Sequence, residues 1–420
     1  MKNTLIITAV KPLAAGNQSL IKNLEPILKK SLDVTLVSLR YSKENCRVFQ
    51  SFFKTNNHYN VLQKKTGIKA KINTIKGKQR DSLNYKFDDV LTIENDISQW
   101  KITVPSLFVF FPIVLYRLIC LRLSNQKIDT IVGYENQGVI FGALAKIFYP
   151  KSKLIGIFQG TVLGSLLKNR KIDKLKAFFQ YPVDVIAWLC SIDKYLITDD
   201  GTAGNIIAKN FGVKSTDILF LHNGVQLEHL FNCQDFTPTE NEYTGVCSMR
   251  AVDWKRLDRI PFLALALKKH SIEHYNQLKF VVVGGGPTLG NVQKLAGELG
   301  VSDCLEFTNT IPYLDSLNYI QKCDFLICVS DVSNLSNSII DGVTLGKPLL
   351  SVDSGSLNNF IETYSLESSS LLLTPDSSEE EMGEKITSFL VNLKKYEYKR
   401  RNVMTQAKRM ELIQDWVENW

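Results

Sequence analysis

The sequence predicts an α/β fold built from two successive doubly wound units. Three observations predict it. Short apolar runs of strand length alternate with longer segments of helical spacing, first over residues 5–221 and again from 245 onward. A polar stretch, 226–241, separates the two series and reads as a hinge near 225–242. The charge also divides there: residues 1–225 hold 32 Lys and Arg against 16 Asp and Glu, and residues 226–420 hold 18 against 26, so a half of +16 precedes a half of −8.

In the first series, residues 5–10 read as a buried strand, and a loop ending Ala15-Gly16-Asn17 leads into a helix over 18–30 and a strand over 34–39. That is a βαβ unit with a glycine where the helix starts. Residues 42–101 are rich in bases (Lys54, Lys64, Lys65, Lys69, Lys71, Lys76, Lys78, Arg80) and poor in periodic runs. They read as a basic excursion from the sheet, either an acceptor-binding loop or a solvated insertion. Residues 105–123 are strongly apolar but contain Pro112, Arg117 and Arg122. An arginine near the centre of a membrane span costs about 2.5–3.5 kcal/mol, so a buried or interfacial helix is expected rather than a span. Strands follow at 128–134 and 153–158, with a helix at 140–148 between them.

Residues 164–188 mix Lys168, Arg170, Lys171, Lys174 and Lys176 with Leu175, Phe178, Phe179, Tyr181 and Trp188. The mixture suits either an interfacial segment on anionic lipid or an amphipathic helix packed on the sheet. A strand at 195–198, a helix at 201–211 and a strand at 218–221 ending His222-Asn223-Gly224 complete the series.

The second series has strands at 245–249, 279–283 and 305–307, with a basic loop at 250–259, a Gly284-Gly285-Gly286-Pro287 stop and helices at 289–299 and around 317–322. It culminates in residues 323–353: an apolar run at 325–329, a polar loop, N-cap types at Ser336, Asn337 and Ser338, a helix ended by Gly346 and Pro348, and a strand at 349–352. A parallel βαβ unit puts that polar loop at the carboxyl ends of its strands, where open α/β sheets bind ligands, and a helix N-terminus there favours phosphate. Residues 398–420 read as a final helix, with Met404, Ala407, Met410, Ile413, Trp416 and Val417 at helical spacing.

Length, composition and cysteine usage narrow the class. A chain of 420 residues suggests two or three domains, and 45% apolar with 22% charged residues is ordinary for a globular protein. The eight cysteines form no CxxC pair, and Cys120, Cys190 and Cys328 lie in apolar runs, so buried reduced thiols are expected. Residues 1–4 run straight into a strand, which predicts no leader peptide and a cytoplasmic protein. A basic half favours an anionic surface or substrate.

Several of these segments, in this order, resemble the GT-B glycosyltransferases, specifically the large retaining class called family 4. The resemblance covers nearly the whole chain and is specific in the second half. Ser248-Met249-Arg250-Ala251-Val252-Asp253-Trp254-Lys255 is similar to the opening of that family's donor domain, a strand followed by Arg and then Lys. Asn223-Gly224-Val225, the triple glycine, Leu295-Ala296, Leu299-Gly300-Val301, Phe307-Thr308 and Gly346-Lys347-Pro348 match in turn. Two positions of the family's donor segment, eight apart and usually glutamates, are here Ser333 and Asp341. Asp341 keeps the carboxylate that the family uses near the ribose. Ser333 does not keep the one that touches the donor sugar, and Asp331 is a candidate substitute. Gln159-Gly160 stands where the family often has His-Gly, and Ala15-Gly16 stands where it has a glycine pair by the donor phosphates.

The resemblance implies two Rossmann-like doubly wound domains with a central cleft and a C-terminal crossover helix. The expected acceptor-binding domain is 1–225 plus 400–420, and the expected nucleotide-sugar domain is 226–399. It implies an enzyme that moves a sugar from a nucleotide-sugar donor to a lipid-linked or polysaccharide acceptor in surface polysaccharide synthesis (capsule or lipopolysaccharide), with retention. No Asp-x-Asp pair is present to hold a cation under a diphosphate, so no metal and no cofactor beyond the nucleotide-sugar co-substrate are expected. Expected catalytic residues are Gln159, Ser333 and Asp341. Expected donor-binding residues are Gly16, Arg250, Lys255, Asn334, Leu335, Ser336 and Asn337. The protein is expected at the inner face of the plasma membrane, without nucleic-acid partners. The alternatives are an epimerase on the same fold and a catalytically degenerate relative serving as a binding partner in an assembly complex. The changes at Ser333 and Gln159 favour the latter. The retained Arg250, Lys255 and Asp341 oppose it.

Overall fold

The computed structural model describes residues 2–8, 23–24, 26–27, 31–38, 99–231, 243–352 and 357–419. Gly16, most of the basic excursion at 42–101, the hinge residues 232–242 and Asp353 lie outside the described residues. Contacts divide the chain into two units: Met1–Thr198 with Gly204–Leu221 and Met410–Trp420, and Asp199–Ala203 with His222–Arg409.

The first unit carries a six-stranded sheet in the order β2-β1-β3-β4-β5-β6, where β1 is Lys2–Thr8, β2 Ser31–Ser38, β3 Thr130–Tyr134, β4 Lys153–Phe158, β5 Lys194–Asp199 and β6 Ile218–His222. β1 pairs in parallel with β2 and β3, and β3–β4 and β4–β5 are parallel as well. β3 is buried along its whole length, as a central parallel strand covered on both faces must be. The apolar run at 105–123 belongs to one helix, Gln99–Leu123. Phe110, Val114, Leu118 and Leu121 form its buried stripe against Leu5, Ile7 and Ile131, while Phe108, Phe111, Ile119 and Leu123 are exposed. Among the described residues no helix is long and apolar enough to cross a membrane.

The second unit carries another six-stranded sheet, in the order β12-β11-β10-β7-β8-β9. Here β7 is Tyr243–Ser248, β8 Leu278–Val283, β9 Leu305–Asn309, β10 Phe325–Cys328, β11 Leu349–Val352 and β12 Ser370–Leu373. Alternate residues of these strands feed two cores. Cys247, Phe280, Val282, Phe325 and Ile327 point into one, and Val246, Val281, Val283, Leu326 and Cys328 into the other. That is the period-2 signature of a sheet buried on both faces. The chain lays down β7, β8 and β9 in one direction and then returns to the other side of β7 with β10, β11 and β12. The order therefore reverses between β7 and β10, which is the topological switch point of an open α/β sheet.

Two expected elements are shorter than their sequence pattern. The helix at 201–211 is confined to Gly204–Asn210, because Gly201 (φ 85°) and Ala203 (φ 55°) are left-handed and break it. The final helix begins only at Gln406. The residues before it are extended: Val225 N donates to Met404 O (3.0 Å), and Gln406 N donates to Val225 O (2.9 Å). Thr405 then accepts from Lys408 N through its hydroxyl (3.1 Å) and starts the helix. From Met410 on, the helix belongs to the first unit, where Ile413 is fully buried with Ile6, Leu24, Val132, Tyr134 and Leu196.

Ile413→Ala removes a fully buried side chain from that core and is expected to lower stability by about 2–5 kcal/mol, measured by urea unfolding. A loss below about 1 kcal/mol would mean that the helix is not docked there.

Candidate functional site

The switch point of the second unit brings together the loops that follow β7 and β10. The first is seated on the triple glycine. Met249 N donates to Val283 O (3.0 Å) and Ala251 N donates to Gly285 O (3.0 Å). A Cβ on Gly284 (φ 131°) would stand 2.2 Å from Met249 O, and one on Gly286 (φ 153°) 2.2 Å from Ala251 O. Only glycine allows that approach. Arg250 projects from this seat and is exposed. A short 3-10 turn, Asp253–Lys255, closed by left-handed Arg256, then delivers Lys255. Its Nζ donates to Ser333 O at 2.6 Å.

The second loop is shaped to meet it. Ser333 is left-handed (φ 60°). Asn334 is buried, and both its carbonyl and its side-chain Oδ1 lie 3.2 Å from the Cys328 thiol. Leu335 is buried too. Ser336 caps the helix Asn337–Thr344, its Oγ accepting from Ile339 N (3.4 Å). Asn337 accepts at Oδ1 from Asn223 Nδ2 (2.9 Å). One turn on, Asp341 is only 5% exposed, and its Oδ2 accepts from the Tyr313 hydroxyl (3.0 Å).

Asp331 does not take over the position of Ser333. It is paired to Arg259 (2.6 Å) and Arg256 (3.4 Å), and its N–H bonds Trp254 O (3.0 Å). That carboxylate ties the loop after β10 to the loop after β7. The structure thus gathers Arg250, Lys255, Ser333, Asn334, Leu335, Ser336, Asn337 and Asp341 at one switch point. Gln159 lies in the first unit, just past β4, and its N–H donates to Glu135 Oε1 (3.1 Å) at the end of β3.

Sequence reasoning missed two residues that touch the gathered group. Tyr313 opens the helix Tyr313–Lys322 and covers Asp341, and burial pushes its hydroxyl pKa up, helped by the adjacent carboxylate. Asp200 lies in the turn after β5, a string Asp199-Asp200-Gly201-Thr202 whose composition marks a βα loop. Its Oδ1 accepts from both the hydroxyl (2.6 Å) and the N–H (3.1 Å) of Thr202. Burial raises its pKa, against the lowering effect of Thr202, the Ser333 hydroxyl and the Lys255 ammonium. Lys255 is held below the ordinary lysine range by burial, opposed by Cys328, Asp200 and Cys247. Chemically, the group offers two cations, hydroxyls and a helix N-terminus to an anion, with the buried Asp341 carboxylate at one flank and the half-buried Asp200 carboxylate at the other.

Comparison with known proteins fits that chemistry. Residues 234–409 match the family described as "Glycosyl transferases group 1", so the second unit carries a glycosyltransferase group 1 domain. One curated relative is the alpha-monoglucosyldiacylglycerol synthase of Streptococcus pneumoniae, 24% identical over 128 residues, which are 27% of this chain and 29% of that protein. Another is the Vi polysaccharide biosynthesis protein VipC/TviE of Salmonella typhi, 29% identical over 109 residues, 26% of this chain and 18% of that protein. In both cases the match spans less than a third of the relative's length. Among solved structures, Anabaena HepE in complex with UDP superposes with a TM-score of 0.60 at 13% identity, covering 100% of this chain and 99% of that one. The fold is GT-B. The N-terminal domain of a Candida albicans trehalose-6-phosphate phosphatase also reaches 0.60, at 10% identity over 99% of this chain and 94% of that one. The fold alone therefore does not select the chemistry.

The Asp199 carboxyl gives a test of this turn by pH. Burial pushes it up to about 6, partly offset by the Gly201 N–H. A raised carboxyl opposes folding once ionised, so its contribution is favourable below about pH 4 and lost as pH rises through about 6. Asp199→Asn is expected to match the wild type near pH 3.5 and to exceed it by up to about 3 kcal/mol at pH 7.5 in chemical denaturation. A gap that does not change with pH would contradict the buried environment.

Proposed function

We propose that this protein transfers a sugar from a nucleotide-sugar donor to a lipid-linked or polysaccharide acceptor, without a metal ion and with retention of anomeric configuration. The observation that carries the reading is the meeting of Arg250, Lys255 and the capped N-terminus at Asn337 on the switch point of a glycosyltransferase group 1 domain. A nucleoside diphosphate leaving group gains negative charge as the glycosidic bond breaks. Fixed cations and helix-end N–H groups stabilise that charge without reorganising. In this reading Arg250 and Lys255 hold the diphosphate, and the Ser336 cap sets the direction of the helix amides. Asp341, steadied by Tyr313, meets the ribose, and Asn334 and Leu335 fix the loop by burial. Gln159, the residue proposed to assist the transfer chemistry, can hydrogen-bond but cannot become a cation. The names of the two curated relatives, one a glycolipid synthase and one a polysaccharide biosynthesis protein, support acceptors of those classes and a role in capsule or lipopolysaccharide assembly.

The first unit supports a peripheral place on the inner leaflet of the plasma membrane. The helix Lys174–Gln180 leaves Leu175 68% and Phe179 64% exposed beside Lys174 and Lys176, with Arg170 and Lys171 just before it. Apolar side chains that enter the headgroup boundary, flanked by bases, favour anionic lipid.

Two measurements test these readings. In a thermal-shift panel of UDP, GDP and ADP and their sugars, one nucleotide is expected to raise the melting temperature, since a ligand of the folded state stabilises it by about 2.7 kcal/mol at a hundredfold excess over Kd. The shift should vanish in the Arg250→Ala, Lys255→Ala double variant and survive a chelator. No shift with any nucleotide, or one indifferent to the double variant, would overturn the donor site. In flotation with vesicles, salt-sensitive binding to anionic but not zwitterionic lipid is expected, lost in Leu175→Ser, Phe179→Ser. Equal binding to both lipids would refute the membrane surface.

A further inference from the structure

The turn after β5 is packed onto the loop after β10. Leu335 N donates to Asp200 O (3.1 Å). A Cβ on left-handed Gly201 would stand 2.9 Å from Asn334 N and 3.1 Å from Leu335 N, so backbone lies directly on backbone. Asp199–Ala203 belongs with the second unit. This contact brings the Asp200 carboxylate to the Ser333 hydroxyl and near the Lys255 ammonium. Lys255 in turn donates to Ser333 O (2.6 Å). Thr202 fixes the carboxylate with two donors. Three side chains from three loops thus form one polar cluster, anchored by the left-handed backbone of Ser333.

We infer that Asp200 is the positioning carboxylate of the donor-sugar loop: it orients the Ser333 hydroxyl and Lys255, and supplies from the turn after β5 the negative charge that position 333 lacks.

The inference rests on the donor-site reading above. A hydroxyl that donates to a carboxylate keeps both lone pairs free and becomes a stronger acceptor. Ser333, pointed at Asp200, is thereby an acceptor for a hydroxyl of the transferred sugar. A lysine partly removed from water also needs a counter-charge to remain an ammonium. Asp200 provides it until a diphosphate arrives, and the Ser333 carbonyl holds the side chain in place. The exchange of an acidic residue for Ser333 is then a relocation of charge, not its loss, which removes the main sequence argument for a degenerate protein.

Reciprocal substitution tests the inference in the full-length protein. Asp200→Asn keeps the shape of the side chain and removes its charge. With the nucleotide-sugar selected by the thermal-shift panel, Asp200→Asn is expected to lower turnover about tenfold or more while the affinity for the free nucleoside diphosphate changes by less than about threefold. Ser333→Glu in the wild-type background sets two carboxylates together and is also expected to be impaired. Asp200→Asn combined with Ser333→Glu returns one carboxylate to the cluster, and turnover within about threefold of wild type is expected. A double variant no better than either single one, or an Asp200→Asn enzyme with wild-type turnover, would overturn the inference. A merely structural Asp200 would not be rescued by a charge on another loop. If no nucleotide shifts the wild type, the donor-site reading fails first. The cluster is then tested by denaturation of Asp200→Asn, Lys255→Met and the pair. Asp200→Asn is expected to cost less in the Lys255→Met background, and additive costs would refute the link.

Discussion

An ammonium that is partly withdrawn from water must be kept charged, and the second unit is built around that requirement. Lys255 is drawn down from the lysine range by its own burial. The Ser333 carbonyl at 2.6 Å and the nearby Asp200 carboxylate counter the desolvation. A buried cation without such partners would lose its proton or unfold its surroundings, because desolvating a charge costs several kcal/mol. Both partners come from loops far away in sequence. Lys255, in the loop after β7, is thereby tied to the loop after β10 and lies within electrostatic reach of Asp200.

Topology explains why the loops after β7 and β10 can meet. The sheet order reverses between β7 and β10, and the two loops that leave the carboxyl ends of these neighbouring strands diverge to opposite sides of the sheet. A crevice at that point is a consequence of strand order, not of any single residue. The glycines at 284–286 then let the first loop lie against β8 within backbone contact. Asp331 joins the loops through Arg256 and Arg259, so its charge is spent on architecture.

Much of this was legible in the sequence. The βαβ unit over 325–352, the Ser336 cap and the break at Gly346 follow from local rules: apolar runs of strand length, a hydroxyl before a helix, a glycine after it. The Arg250–Lys255 spacing and the polar loop at 333–337 were readable because they occupy contiguous stretches. What escaped depends on contacts between distant segments. Asp200 stands 133 positions before Ser333, and nothing in the turn Asp199-Asp200-Gly201-Thr202 announces its partner. The Tyr313–Asp341 bond is of the same kind. The final helix was overestimated at its start, because apolar spacing at 398–405 cannot reveal that Met404 pairs with Val225. Asp331 was the natural substitute for a carboxylate at 333 by proximity in sequence, and two arginines that sequence cannot place claim it instead.

The central proposal is spatial: a nucleoside diphosphate binds where β7 and β10 part. Amide hydrogen exchange of the full-length protein, with and without the nucleoside diphosphate selected by the thermal-shift panel, tests this most directly. Added protection is expected over residues 249–256 and 333–341, since ligand binding suppresses local opening of the loops it contacts. Protection confined to other segments, with these two unchanged, would contradict the placement.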